Sequence, residues 1–156
     1  QTIQEARRIT NTPPQDMVAV NLMTSNYVCC ASPKFIAEHG QPRVPAELND
    51  FSCISLFYWR NWSFIESGKH AEVSVNAKYQ FSDNSLLKQA SLAGVGITRL
   101  PKYLIEDELA AGSLVPILKD YQGESRDVYL LYPQDLNRSE RVKRILNVVK
   151  QCFAQG

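Results

Sequence analysis

The hydrophobic period of the chain changes twice between residues 71 and 101, and this change limits the possible folds most. EVSVNAKYQF alternates apolar and polar residues, which predicts a strand, whereas the apolar positions of SDNSLLKQASLAG follow a helical spacing. VGITRL then predicts another strand because it is rich in β-branched and apolar residues. A strand, a helix and a strand in this order favour an α/β sheet with parallel character.

The other segments continue this alternation. The helix PKFIAEHG has clear start and stop signals: Ser32 and the proline after it mark the start, and Gly40 marks the end. Further predicted strands are YVCCA, FSCISLFYW, NWSFIE, the extended SLVPIL, and DVYLLYP. Of these, NWSFIE is predicted to form a hairpin with EVSVNAKYQF through the turn SGKH. Further predicted helices are VPAELND, PKYLIEDELAAG and the amphipathic SERVKRILNVVKQCFAQ, with Ser139 as its cap.

The glycines of SLAGVGITRLP raise the possibility of a phosphate-binding loop. A dinucleotide-binding fingerprint requires a strand, then the glycines, then a helix, because the phosphates lie against the free amides of the helix amino terminus. Here the helix comes first and the strand second. Gly94 and Gly96 are therefore predicted to end a helix and to allow a close crossing of two backbones.

Length and charge exclude some classes of protein. A chain of 156 residues suits one domain or two small lobes. Its formal net charge of +1 predicts no overall attraction to nucleic acid or to an anionic membrane. The sequence lacks a run of about 18 apolar residues, the length that a membrane-spanning helix needs. QTIQEARRITNTPPQDM does not resemble a secretory signal, so we expect a cytoplasmic location.

The four cysteines do not form a metal-binding or disulfide pattern, since Cys29 and Cys30 are adjacent and would point to opposite faces of a strand. Core thiols in a reducing compartment are the favoured interpretation, and a redox role is the alternative. We predict no metal and no cofactor.

Motifs for catalysis are also lacking. The serines have no GxSxG setting, and His39 and His70 are predicted to be exposed turn residues. The acidic run at 106–108 is typical of a solvated helix face. Trp59 and Trp62 bracket Arg60 and could stack on a flat ligand or pack in a core or hairpin. The sequence predicts a protein that is not an enzyme.

Polar residues recur where predicted strands meet helices. In open α/β sheets, ligands bind beyond the carboxyl ends of strands, where helix amino termini offer amides and partial positive charge. The side chains at these junctions are Ser32, Asp83, Asn84, Ser85 and Thr98. They could bind a small polar or anionic molecule, whereas Ser32 and Asp83 could equally be simple helix caps.

Taken together, several segments resemble the effector-binding domain of LysR-type bacterial transcriptional regulators. The resemblance covers about residues 5–155 and includes CCASPKFIAEHGQPRVPAELNDFSCI, FSDNSLLKQASLAGVGITRLPKYLIEDELAAGSLVPIL and VYLLYP. The matching positions are Ser32, Pro33, Gly40, Pro42, Pro45, Leu48 and Cys53 in the first stretch, and Asn84, Gly94, Gly96, Ile97, Leu100, Pro101, Leu109, Gly112 and Leu114 in the second.

This resemblance implies an α/β fold of the type II periplasmic-binding-protein-like class with two lobes. The second lobe would be complete at 23–122, and the first only partly present. Residues 1–22 would be a remnant of the first lobe and a crossover, and 123–156 a crossover strand and a carboxyl-terminal helix returning to that lobe.

The resemblance also implies that a small-molecule effector, for example an organic anion, binds in an interlobe cleft and modulates DNA binding and transcription. It places effector contacts at Thr10 in the hinge and at Ser32, Asn84, Ser85 and Thr98, with Asp83 and Phe57 as second choices. The full-length regulator would be a dimer or tetramer that contacts DNA only through a separate helix-turn-helix domain, and no membrane. The alternative is a periplasmic solute-binding protein of a transporter, which would share the cleft.

Overall fold

The computed structural model describes residues 16–154, apart from the side chains of residues 122 and 152–154. Short 3-10 helices cover Pro45–Asp50, Lys102–Leu104 and Gln134–Leu136. The strands and α-helices are β1 (Met17–Ala31), α1 (Pro33–His39), β2 (Ile54–Leu56), β3 (Asn61–Glu66), β4 (Lys69–Ser74), β5 (Tyr79–Phe81), α2 (Asn84–Leu92), β6 (Thr98–Pro101), α3 (Glu106–Ala111), β7 (Val115–Pro116), β8 (Gln122–Gly123), β9 (Ser125–Pro133) and α4 (Glu140–Ala154).

The described chain divides into two compact units. Unit 2 is continuous from Asn26 to Glu124, and unit 1 contains the described residues up to Ser25 and from Ser125 onward. The lobe predicted at 23–122 begins and ends within a few residues of unit 2, and its assignment as a lobe stays a prediction. Thr10 and the rest of residues 1–15 lie outside the described residues.

The strands of unit 2 form a mixed arrangement rather than a parallel one. β2 and β5 are parallel, and a parallel bridge joins Cys53 to Ile97 just before β6. β1, however, is antiparallel to both β6 and β7. The predicted parallel character is therefore correct only for β2, β5 and β6, which run in the same direction. It is wrong for β1, which runs antiparallel to its neighbour β6.

The two faces of β1 and β6 belong to different hydrophobic clusters. Cys29 packs on one face in a cluster that contains the fully buried Trp62 and Phe64. Cys30 packs on the other face, in a cluster that contains Leu87 of α2. The prediction that the adjacent thiols point to opposite sides is confirmed. Each large apolar side chain buried in this way contributes about 1.5–3 kcal/mol.

Two predicted strands are shorter than expected. FSCISLFYW contributes only Ile54–Leu56 to a strand, because the amide of Trp59 turns back and donates to the carbonyl of Leu56 at 3.2 Å. EVSVNAKYQF is divided between β4 and β5. The side chain of Asn49 donates to the Ser74 carbonyl and accepts from the Asn76 amide, so it draws the chain out of the hairpin after Ser74.

The helix starts follow the predicted caps. Ser32 accepts a hydrogen bond from the amide of Phe35, and Asp83 accepts one from the amide of Leu86. Ser139 accepts from the amide of Arg141 before α4. The predicted helix PKYLIEDELAAG is interrupted, since a 3-10 turn at Lys102–Leu104 precedes α3. VPAELND forms a 3-10 helix rather than an α-helix.

The two glycines after α2 have different physical roles. Gly94 has φ +81°, the left-handed conformation that favours glycine at a helix end. Gly96 faces the carbonyl oxygen of Ser52, which would lie only 2.7 Å from a Cβ atom at this position. The predicted helix end and the predicted close backbone crossing are both confirmed.

Candidate functional site

One edge of unit 2 is formed where the parallel strands β2 and β5 end together. Their register pairs Leu56 with Phe81, and the amide of Phe57 donates to the Phe81 carbonyl at 3.0 Å. Phe57 therefore lies beside the chain that enters α2. We define the carboxyl edge of unit 2 as Phe57 together with residues 83–85, which begin the helix. Such edges are where open α/β sheets bind ligands.

The three polar residues of the carboxyl edge differ in what their side chains do. Asp83 is the helix cap, and its carboxylate accepts the Leu86 amide at 2.9 Å. Asn84 is half-buried, and its Oδ1 atom is buried with no hydrogen-bond partner among the described residues. Ser85 is exposed. A buried polar atom without a partner costs about 1–3 kcal/mol, so Asn84 is the member of this edge most suited to receiving a ligand.

Two other predicted site residues lie at the opposite edge of unit 2, in or beside the sheet formed by β6, β1 and β7. Thr98 begins β6, next to the start of β2, because Ile97 bridges Cys53 in parallel. Ser32 follows the end of β1, which is antiparallel to β6 and so ends where β6 begins. The structure therefore does not bring Ser32 and Thr98 together with Asn84 and Ser85 at one edge.

Both residues of this opposite edge are buried. Ser32 is 3% exposed, and its Oγ atom accepts the Phe35 amide at 3.1 Å. Thr98 is fully buried opposite Cys30, on the face that packs against α2. Its hydroxyl has no hydrogen-bond partner within the described part of the chain. A role of these two residues in effector binding stays a prediction, as does that of Thr10, which lies outside the described residues.

Sequence reasoning missed a buried charged cluster around Arg99. The guanidinium of Arg99 donates to the Glu124 carboxylate at 2.8 Å, and its central carbon lies 4.0 Å from the centroid of the Trp59 ring. The rings of Trp62 and Tyr27 lie at 5.5 and 5.6 Å from the same carbon. This cation–π arrangement gives Trp59 and Trp62 a structural role, since Trp62 is also 1% exposed.

The charge state of this cluster follows from its surroundings. Burial alone would raise the pKa of Glu124, but attraction to Arg99 and hydrogen bonds from Arg99 and Ser63 outweigh it and lower the pKa below its ordinary value. Glu124 is therefore ionised at neutral pH and balances the buried guanidinium. The arginine among the apolar residues of the predicted strand VGITRL was a signal in the sequence that could have indicated such a partner.

The thiols of Cys29, Cys30 and Cys53, the cysteines whose side chains the structure describes, are buried core groups rather than reactive ones. Burial raises the pKa of Cys53 to about 12, and burial also raises the pKa of Cys30 to about 12. The reactive thiolate forms are therefore scarce at neutral pH. Cys29, Cys30 and Cys53 are free and buried.

Three further observations concern metal binding, the two histidines and membrane-spanning helices. Within residues 16–154, no group of three or more histidine, cysteine or acidic side chains is placed to hold a metal ion. His39 ends α1 and His70 lies in β4, and both are exposed. The described helices include none that is long and apolar enough to cross a membrane.

Comparison with known proteins identifies the family. The family model of the LysR substrate binding domain matches residues 6–154. The "Probable HTH-type transcriptional regulator LtrA" of Klebsiella pneumoniae is 28% identical over 155 residues, which cover 96% of this chain and 50% of that protein. The chain thus spans about half the length of this relative.

Solved structures agree with this result. The regulatory domain of CrgA, a LysR-type regulator of Neisseria meningitidis, superposes with a TM-score of 0.78 at 22% identity, covering 86% of this chain and 68% of that one. The full-length virulence activator AphB of Vibrio cholerae superposes with a TM-score of 0.76 at 26% identity, covering 90% and 49%. The predicted α/β, periplasmic-binding-protein-like fold is confirmed, and the chain belongs to the LysR substrate binding domain family, the effector-binding part of LysR-type transcriptional regulators.

Proposed function

We propose that this chain binds a small organic effector at the carboxyl edge of unit 2 and that, in the complete cytoplasmic regulator, this binding modulates DNA binding and transcription. The observation that carries the proposal is the buried, unpartnered Oδ1 atom of Asn84 at the start of α2, beside the exposed hydroxyl of Ser85. The amino terminus of a helix offers amide donors and partial positive charge at the same place.

The relatives support a regulatory rather than a transport role. LtrA, CrgA and AphB are each described as regulators or activators of transcription, which also favours a protein that is not an enzyme. The periplasmic solute-binding alternative has no such support from these three proteins. In the complete regulator, we expect a dimer or tetramer and DNA contacts made by a separate helix-turn-helix domain.

Effector binding is tested by thermal-shift measurements on the chain with aliphatic acids, aromatic acids, amino acids and sugar acids. A ligand at 100 times its dissociation constant stabilises the folded state by about 2.7 kcal/mol, which gives a readily measured rise in Tm. We expect Asn84→Ala and Ser85→Ala to remove most of that rise. A ligand-induced rise that is unchanged in both variants would rule out the carboxyl edge as the site.

The consequence for transcription is tested with the complete regulator and its DNA. Mobility-shift titrations at one fixed salt concentration compare DNA affinity with and without the ligand found by thermal shift. Binding can change this affinity only through a difference in effector affinity between the two states of the regulator. An effector that leaves both DNA affinity and transcription unchanged would contradict the regulatory part of the proposal.

A further inference from the structure

A cavity next to the carboxyl edge indicates what class of effector the protein takes. It has a volume of about 470 Å³, lies within unit 2, and is lined by Phe57, Tyr58, Arg60, Asn61, Val75 and Asn76 among others. We call it the Phe57 pocket. Pockets for small ligands commonly measure about 300–1,000 Å³, so this volume suits an organic molecule rather than a single ion.

One wall of the Phe57 pocket consists of two exposed aromatic rings. Phe57 is 59% exposed and Tyr58 is 63% exposed, and their ring centroids lie 5.0 Å apart in an edge-to-face arrangement. Large aromatic side chains seldom remain this exposed next to each other unless they contact something else, since burial of their surface is favourable. The rings offer an apolar surface for a planar ligand.

The segment that carries these rings is held in place. The amide of Phe57 donates to the Phe81 carbonyl at 3.0 Å, and the amide of Val75 donates to the Arg60 carbonyl at 2.9 Å. Between them, the ring of Trp59 turns inward and lies over the guanidinium of Arg99. The backbone that carries the aromatic wall is therefore held in place without a ligand, which lowers the entropic cost of binding.

The opposite side of the pocket is also held by hydrogen bonds. The side chain of Asn49 donates to the carbonyl of Ser74 at 3.0 Å and accepts the amide of Asn76 at 2.9 Å. These two bonds fix the backbone where the chain leaves β4. Because both sides are fixed, the concave shape does not depend on a ligand.

The polar lining selects for negative charge. Arg60 is the one charged side chain among the described residues that line the pocket, and Asn61 and Asn76 add amide groups. Guanidinium groups bind carboxylates through paired, charge-assisted hydrogen bonds. An aromatic wall with a nearby guanidinium therefore matches a molecule with a planar ring and a carboxylate.

We propose that the Phe57 pocket binds an aromatic carboxylate as the effector. This inference rests on the proposed function and deepens it, because Phe57 belongs both to the pocket and to the carboxyl edge that holds Asn84. The concave shape and the single cationic side chain favour a small ligand over a second copy of the chain, whose docking would need a larger and flatter apolar surface.

The proposal is tested by isothermal titration calorimetry of the chain with benzoate and benzamide, which have the same size but differ in charge. We expect benzoate to bind at least tenfold more tightly than benzamide. Arg60→Gln should abolish this difference, whereas the matched control Arg43→Gln, which alters an exposed arginine outside the pocket, should preserve it. Phe57→Leu with Tyr58→Leu should weaken both ligands at least fivefold.

Several results would overturn the proposal. Equal affinity for benzoate and benzamide, absence of binding at millimolar concentration, or equal losses in Arg60→Gln and Arg43→Gln would each do so. A lower sedimentation coefficient in the Phe57→Ser, Tyr58→Ser variant with unchanged benzoate affinity would show an interface between copies instead. A third outcome separates this proposal from the proposed function. If benzoate does not bind but an aliphatic or sugar acid does, and Asn84→Ala abolishes the binding of that acid, the proposed function stands. The proposal that the effector is an aromatic carboxylate is then wrong.

Discussion

The side chain of Arg99 lies inside unit 2 and donates a 2.8 Å hydrogen bond to Glu124, the last residue of that unit. The carbonyl of Glu124 accepts the amide of Tyr27, near the first residue of the unit, at 2.8 Å. The ion pair therefore ties the end of the unit to β6, and the backbone hydrogen bond ties it to the beginning of the unit. Because the two side chains are only 2% and 17% exposed, water screens this pair far less than a surface pair.

Removal of the Glu124 carboxylate should destabilise the protein strongly. In Glu124→Ala, the guanidinium of Arg99 would stay buried without its counter-charge, and breaking a buried pair in this way costs about 3–5 kcal/mol. We expect a fall of this size in the free energy of unfolding, measured by urea denaturation at pH 7. The control is Glu140→Ala, which breaks the exposed pair with Lys143 and should cost about 1 kcal/mol or less. Similar losses in the two variants would contradict a special role for the buried pair.

The same carboxylate predicts how stability depends on pH. The pKa of Glu124 is lowered in the folded state, because Arg99 and the bond from the Ser63 amide outweigh the effect of burial. Its contribution is therefore complete above the unfolded-state pKa of about 4.3 and is lost as the pH falls through the folded-state value. The difference in unfolding free energy between wild type and Glu124→Gln should be largest at pH 7 and shrink below about pH 4. Urea titrations at pH 7, 5, 4 and 3 measure this difference in unfolding free energy. A difference that stays constant over this range would refute a lowered pKa of Glu124 in the folded state.

The close backbone crossing at Gly96 predicts a steric effect. A Cβ atom there would lie 2.7 Å from the Ser52 carbonyl oxygen, so one of the two backbones must move. We expect Gly96→Ala to lower the free energy of unfolding by about 1–3 kcal/mol, the usual cost of overpacking. Gly68→Ala serves as the control, since that glycine has open space but a φ of +79°. Gly68→Ala should lower the free energy of unfolding by about 1 kcal/mol through backbone strain alone. A smaller loss in Gly96→Ala than in Gly68→Ala would contradict the steric argument.

Features that depend on neighbouring residues could be predicted from the sequence. The helical spacing of Leu87 and Ala90 and the cap at Asp83 lie within one short segment, so local chemistry determines them. The glycine turn at Gly94 was predictable for the same reason. The exposure of Phe57 was not, because bulky apolar residues are common in buried strands and only the turn after Leu56 directs this ring outward.

Features that depend on distant pairing could not be predicted. Ser32 and Asn84 both follow a strand and begin a helix, which suggested one shared edge of a parallel sheet. They lie at opposite edges because β1 is antiparallel to β6, and strand direction is fixed by partners far along the chain. The pair formed by Arg99 and Glu124 joins residues 25 positions apart, and no local pattern encodes it.

The position of Ser32 leads to a prediction that separates helix capping from effector binding. Ser32→Ala removes the acceptor for the Phe35 amide and should cost about 1 kcal/mol of unfolding free energy. Because Ser32 lies at the edge opposite Asn84, the rise in Tm caused by a saturating effector should remain as in the wild type. Asp83→Ala, which removes the cap beside Asn84, should lose similar stability but also perturb the effector-induced rise. Thermal-shift measurements on both variants, each with and without effector, make the comparison. If Ser32→Ala reduces the effector-induced rise as much as Asn84→Ala does, Ser32 contributes to effector binding as well as to the helix.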